Sequence, residues 1–383
     1  RAIEKTGQKS FHFPDPWEDT ASLAANAAAK TLDRLEENQQ GKFRYLSVGT
    51  ETEVDHSKPV ASYVQGMLQS AGYPLGNAMT TFEVKHACAG GTAALLSNAA
   101  MLSFSGDPGE RALAICSDIA RYEAPSTAEI TQGAGAVALL IEKNPRLLEM
   151  NLSQQGFYAS DVDDFFRPLG SVTAKVKGRY SMECYQEALV MAFTDYCDRC
   201  GGTPCDIINE TDYLALHVPF AKMPEVAVRK LLKDTCEKDD DAIEAFLNRT
   251  GFLDAMYLSS SFGNLYTGSL YAYLAALLHQ EYQKLGDGIV GKRVLIASYG
   301  SGNTMMVFSG TIAAGAPEMI ASWKIESLIN DYRKADFHEY LSWLARPKDT
   351  DAWRNLLEGA TPSEGQFYLK DFEDSGLRIY DRA

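Results

Sequence analysis

No uninterrupted apolar run in this sequence approaches the about 18 to 20 residues that a membrane-spanning helix requires. The opening stretch also has no apolar core of the kind a signal peptide carries, so a soluble, cytoplasmic protein is expected and a membrane partner is not. Arg1 rather than Met opens the chain, and further native sequence before it is expected. Positive charge is scarce. The 36 Lys and Arg face 51 Asp and Glu, a formal net charge of −15 that opposes non-specific binding to phosphate backbones and excludes nucleic acid as a natural partner. An anionic small molecule would need a local basic patch that overcomes the global sign. Cysteine is too sparse and too odd in number, at seven, for a disulfide framework, which fits reduced thiols. Cys197-Asp-Arg-Cys200 and Cys205 lack the second CxxC pair and neighbouring His that would complete four zinc ligands, so no metal is expected.

What remains is a chain of 383 residues, 45% hydrophobic, enough for one large core or two fused ones. Helical spacing marks Ala21 to Leu35 and Val60 to Leu68, while strand-like runs mark Arg44 to Val48 and Thr80 to Val84. Gly90 to Leu102, rich in Ala, Leu and Met without Pro, reads as a buried helix. Ala112 to Ser117 and Ala134 to Ile141 read as strands covered on both faces. After the loop-like Asp161 to Gly170 the order begins again. Helices are expected at Met182 to Tyr196, Pro224 to Cys236, Asp241 to Arg249 and Leu270 to Leu285. Strands are expected at Tyr213 to His217, Arg293 to Ser298 and Thr304 to Thr311. Such alternation in two similarly ordered halves predicts a duplicated α/β/α/β/α fold of five layers. The halves are taken as 1–170 and 171–383, and the tail from Ala316 reads as helix and loop.

Three segments carry chemistry. Lys85-His-Ala-Cys88-Ala-Gly-Gly-Thr places a thiol between a strand and an apolar helix, where backbone amides and the helix dipole would lower its pKa. Gly90 and Gly91 would let the backbone approach a thioester. An average Cys is only a buried small hydrophobe, but the strand-Cys-Gly-Gly-helix setting reverses that expectation. His217 ends a short apolar strand before Pro219 turns the chain, and a Cys nucleophile needs a base. Lys222, ordinarily a solvated charge, could offer an ammonium to a phosphate or pantetheine group. Gly49-Thr50-Glu51-Thr-Glu53-Val-Asp55 lies at the same sheet end as Cys88; Asp55 and Glu53 suit helix capping, and a carboxylate here could act as a general base.

Taken together the sequence resembles the 3-hydroxy-3-methylglutaryl-CoA synthases of the thiolase superfamily over roughly residues 21 to 310. The motifs are Gly49-Thr-Glu51 with Asp55-His-Ser-Lys58, Ala87-Cys88-Ala-Gly-Gly-Thr, Ser117-Asp118-Ile-Ala-Arg121-Tyr122, Thr131-Gln-Gly-Ala-Gly-Ala136, Asp164-Phe-Phe-Arg-Pro168, His217-Val-Pro-Phe-Ala-Lys-Met223, Gly263-Asn264-Leu-Tyr-Thr-Gly-Ser269 and Ser298-Tyr-Gly-Ser301-Gly302. The resemblance implies a thiolase-like fold in which Cys88 is the acylated nucleophile, Glu51 the acid/base of carbon–carbon bond formation, and His217 the group handling the second substrate. It places Tyr122, Asn264 and Ser301 on the pocket, Ser301 and the Cys88 amide at an oxyanion, and Lys222 near CoA. The implied substrates are acetyl-CoA and acetoacetyl-CoA, with no metal or redox cofactor, in the mevalonate pathway of isoprenoid synthesis, on a homodimer. By the same likeness the chain begins inside the family's first strand–helix unit. Ala89 replaces the aromatic residue that usually follows the nucleophile, and His86 replaces the usual Glu or Asn before it, so an altered pocket mouth is expected. Rival readings are a relative acting on carrier-protein-bound acyl groups, a ketoacyl synthase of the Cys-His-Asn type, and a silent CoA-binding subunit. Glu51 and the His217-Val-Pro-Phe context argue against the second, and retention of Cys88, Glu51 and His217 argues against the third.

Overall fold

The computed structural model describes residues 2–35, 42–345, 347 and 349–383. Its strands, in chain order, are β1 (Phe43–Gly49), β2 (Thr80–Val84), β3 (Arg111–Ala120), β4 (Gly133–Ile141), β5 (Leu148–Ala159), β6 (Phe165–Phe166), β7 (Lys175–Val176), β8 (Tyr213–Leu216), β9 (Arg293–Gly300), β10 (Thr304–Ile312), β11 (Phe367–Phe372) and β12 (Arg378–Arg382). Among the described residues they form two four-stranded sheets, β2-β1-β3-β4 and β5-β10-β9-β8, and two small hairpins, β6-β7 and β11-β12. In the first sheet β1 runs parallel to β2 and β3 while β4 is antiparallel to β3. In the second, β8 runs parallel to β9, and β10 is antiparallel to both β9 and β5.

Period-two alternation along β3 builds the layers. Leu113 and Ile115 point to a core made with the helices Thr20–Leu32 and Val60–Ser70, while Ala112, Ala114 and Cys116 join the core that contains Leu95, Ala99 and the second sheet. Small side chains on the inner face let the helix Gly90–Ser103 lie close to the sheet. The approach is closest at Gly49, where an added Cβ would stand 2.3 Å from the Cα of Gly91. The hydroxyls of Thr92 and Tyr271 meet at 2.8 Å, tying that helix to Ser269–Leu285 in the middle layer. On the far side the helix Gly178–Cys200 packs so tightly on β5 that a Cβ on Gly156 would meet the Ala192 carbonyl at 2.3 Å. The result is the α/β/α/β/α stack. Each buried Leu, Ile or Val in these layers contributes about 1.5–3 kcal/mol of apolar transfer.

The helix Thr20–Leu32 starts where it does because of its cap. The Asp19 carboxylate accepts from the backbone N–H groups of Ala21 and Ser22, and the Asp19 N–H donates back to the Ser22 hydroxyl. That fixes Thr20, whose hydroxyl donates to the Thr52 carbonyl at 2.7 Å beside the later site.

Two elements depart from the sequence reading. β5 stands on the first-half side of residue 170 yet pairs with β10, so by sheet membership the halves part between β4 and β5. The tail, expected to be helix and loop, ends in the hairpin β11-β12. Phe367, Leu369 and Phe372 bury one face of it, and Asn26 clamps Phe367 by bonds to its N–H and C=O. No helix of the described residues is long and apolar enough to cross a membrane.

Candidate active site

β2 and the helix Gly90–Ser103 are joined by a turn in which Ala87 adopts φ +43°, a left-handed conformation that a residue with a Cβ occupies only when its surroundings impose it. The imposing neighbour is β9. Its last residue, Gly300, is so close that a Cβ there would stand 2.4 Å from the His86 carbonyl and 2.8 Å from the Ala89 Cβ. The two sheets therefore meet, end to end, at the cysteine.

The Cys88 side chain enters an apolar cluster of Ala120, Tyr122, Ala174, Tyr266 and Phe165. Its thiol donates to Glu51 Oε1 at 3.2 Å. Glu51 lies two residues beyond β1 and is 6% exposed. Its other oxygen pairs with Arg167 Nη2 at 3.3 Å, and Arg167 Nη1 donates to the Glu51 carbonyl. Asp118, wholly buried, holds the segment beneath: one oxygen accepts from the Glu51 N–H and the Thr50 and Thr52 hydroxyls, the other from the Thr267 N–H and hydroxyl. A buried carboxylate is tolerated only when saturated in this way.

These surroundings set the protonation states. Burial raises the Glu51 carboxyl to about 7, with the Asp118 charge adding to it and the Arg167 guanidinium opposing it. On the sequence reading the helix start lowers the Cys88 pKa; the structure reverses the sign. Although part of Cys88 remains accessible, its sulfur is enclosed, and burial followed by the Glu51 charge pushes the thiol well above its ordinary value. The pair therefore rests as a neutral thiol beside a carboxyl group that is about half ionised near pH 7, and in its ionised form the thiol proton has an acceptor already in contact.

Tyr122 and Asn264 come together as well, the Asn264 Nδ2 donating to the Tyr122 hydroxyl at 3.5 Å. The Asn264 oxygen accepts from the Tyr266 N–H and the Ser269 hydroxyl, which fixes its orientation. His217 continues β8 and is held at both backbone groups, its N–H donating to the Ala297 carbonyl at 3.0 Å and its C=O accepting from the Tyr185 hydroxyl at 2.8 Å. Burial lowers the ring to about 3, so it is a neutral imidazole. Direct hydrogen bonds join Cys88 to Glu51 and, among the described residues, not to His217. Ser301 follows β9 in a turn organised by Asp164, which accepts from the Tyr299 hydroxyl and the Gly302 N–H. Lys222 is exposed, and its ammonium donates to the Glu4 carbonyl at 2.7 Å.

A cavity of about 610 Å³ opens beside Glu51, Ala87, Arg121 and Arg167, closed by Phe13 and by Trp343 from the tail. Lys85, Arg121, Arg167, Arg333 and Arg378 line it together with carboxylates, so cationic groups gather locally despite the negative total. Sequence reasoning assigned no role to Arg167 or Asp118. The usable signal was Arg167 inside Asp164-Phe-Phe-Arg-Pro168, because a buried Glu51 requires a cationic partner.

Two family models match, described as the N-terminal and C-terminal parts of hydroxymethylglutaryl-coenzyme A synthase; the first covers residues 3–145 and the second residues 148–252 and 242–383. A hydroxymethylglutaryl-CoA synthase of Enterococcus faecalis is 30% identical over 339 residues, 88% of this chain and 82% of the relative. Among solved structures, MvaS in complex with 3-hydroxy-3-methylglutaryl coenzyme A aligns with a TM-score of 0.87 at 34% identity, covering 100% of this chain and 92% of that one. The HMG synthase of the curacin biosynthetic pathway in complex with acetyl donor-ACP aligns with a TM-score of 0.84 at 26% identity, covering 97% and 90%. With a thiolase-like fold, a cysteine in contact with a buried glutamate and matches along nearly its whole length, the chain belongs to the hydroxymethylglutaryl-CoA synthase family.

Proposed function

We propose that this protein condenses acetyl-CoA with acetoacetyl-CoA and water to give 3-hydroxy-3-methylglutaryl-CoA and CoA, a step of the mevalonate pathway. The observation that carries the reading is the 3.2 Å contact between the Cys88 thiol and a Glu51 carboxylate whose pKa is raised to about 7. As the sulfur attacks the acetyl-CoA carbonyl, the thiol proton passes to Glu51 and then to the departing CoA thiolate, leaving an acetyl thioester on Cys88. Glu51, again a carboxylate, removes a proton from the acetyl methyl group. A carboxylate near pKa 4 would be a feeble base for this, and burial brings Glu51 nearer the working pH. The resulting carbanion equivalent attacks the ketone carbon of acetoacetyl-CoA, and the alkoxide formed takes a proton. Neutral His217 suits a donor to that ketone, with Tyr122 and Asn264 lining the pocket, Ser301 and the Cys88 N–H at the oxyanion, and Lys222 toward CoA. Water then cleaves the thioester and restores the thiol. The steps draw on groups of this chain, the two thioesters and water, and require no metal or redox cofactor.

We infer a cytoplasmic homodimer. The second reading keeps the same chemistry but takes the acetyl group from a carrier protein, and it is favoured by the likeness to the curacin synthase in complex with acetyl donor-ACP. Incubation with both CoA thioesters, followed by product analysis, separates the two. The expected result is 3-hydroxy-3-methylglutaryl-CoA and a one-acetyl mass increase on the protein that Cys88→Ala abolishes. An adduct formed only from acetylated carrier protein would overturn the CoA reading.

A further inference from the structure

Beyond the residues that line the cavity, the tail places one buried side chain behind the site. In the helix Phe337–Ala345 only Tyr340 is buried, and its hydroxyl is engaged twice, donating to Glu129 Oε1 at 2.7 Å and accepting from Gln132 Nε2 at 2.9 Å. Gln132 has no exposed surface, and its oxygen accepts the Tyr122 backbone N–H at 3.0 Å. The same short segment supports Asn264 from behind. The Asn264 N–H donates to the Thr131 carbonyl at 3.1 Å, and a Cβ on Gly133 would stand 2.6 Å from the Asn264 carbonyl oxygen. One turn further along the helix, the Arg121 guanidinium lies 4.0 Å over the Trp343 ring and donates to its carbonyl at 2.5 Å. Residues 121 and 122 are thus both held by an element more than two hundred residues away, whose remaining side chains are largely solvated.

We propose that Gln132 and Tyr340 are positioning residues, through which the helix Phe337–Ala345 holds Tyr122 over Cys88 and keeps the cavity wall at Trp343 closed. The inference rests on the reading that Tyr122 belongs to the site. Within it, a segment outside the sheets becomes part of the active-site wall. Tyr340→Phe keeps the ring packed against Phe11, Phe13 and Trp343 but removes both hydroxyl bonds. Gln132, and through it the Tyr122 backbone, is then held less firmly, and the apolar cover over the thiol opens more often.

The test is alkylation of the intact protein by iodoacetamide, read residue by residue by peptide mass spectrometry. It requires no assumption about the reaction catalysed. Tyr340→Phe should raise the rate at Cys88 about two- to ten-fold, the factor given by losing the one bond, from Gln132, that leads to Tyr122. Gln132→Met, of similar volume, should do the same. The rate at wholly buried Cys116 should stay unchanged. In a Tyr122→Ala background, where the cover is already gone, Tyr340→Phe should add nothing. A wild-type rate at Cys88, an equal rise at Cys116, or the same added factor on top of Tyr122→Ala would each overturn the proposal. Absence of condensation product from the unaltered protein would instead sink the synthase reading and leave these rates to be judged separately.

Discussion

Arg167→Met removes the largest influence that keeps the Glu51 carboxyl ionised. Two unit charges 3.3 Å apart attract by about 5 kcal/mol at an effective dielectric near 20. Relaxation and solvent screening reduce what such a pair expresses to about 1–3 pKa units. Taking about 1–2 units, the carboxyl moves from about 7 toward about 8–9. At pH 7 the carboxylate fraction then falls from about one half to between about 10% and 1%, a loss of about five- to fifty-fold in kcat/KM if the carboxylate is the base. The sign is specific: activity returns as pH rises, because the base is only harder to ionise. The assay is the pH profile of condensation, supported by isotope-edited infrared titration of the Glu51 carboxyl, which does not depend on turnover. Arg167→Lys keeps a cation and should hold the limb near its original position. A limb or titration that stays in place or moves to lower pH in Arg167→Met would refute the electrostatic account.

Two further outcomes follow from the same geometry. Because the folded-state pKa of Glu51 is raised from 4.5 to about 7, its contribution to stability is fully present below about pH 4.5 and is lost as pH rises to about 7. Glu51→Gln should therefore gain on the parent by about 3 kcal/mol across that window, and a denaturation difference independent of pH would contradict it. Gly49→Ala forces a Cβ to 2.3 Å from Gly91 backbone atoms, which cannot rotate away, and should cost about 3 kcal/mol. Gly66→Ala, in the helix Val60–Ser70 with nothing within 4 Å, should gain about 0.5–1 kcal/mol. Thermal midpoints moving in opposite directions are expected, and a shared direction would count against the close-approach argument.

The layered fold was legible because its signals are local. Helix Gly90–Ser103 and strands β1 to β4 lie within a few residues of their expected bounds, since apolar period and Gly/Pro punctuation act over single elements. β5 was missed for the same reason: Leu148–Ala159 is a polar strand beside β10, and its extended state comes from pairing that no neighbouring residue announces. The tail hairpin likewise owes its place to Asn26 and the residues it buries across the chain.

At the site, sequence determined which functional groups exist, and the motifs named Cys88, Glu51, His217, Tyr122 and Asn264 together. It could not determine their charge. A helix start beside a thiol predicts a lowered pKa, yet desolvation and a carboxylate in contact raise it. Both effects depend on which atoms enclose the sulfur, and enclosure is a property of packed layers. The partners Arg167 and Asp118, and the reach of Tyr340 into the Tyr122 segment, were decided at the same level. A hydrogen bond between residues 132 and 340 exists only when folding brings both to one place, and nothing local to either residue encodes that meeting.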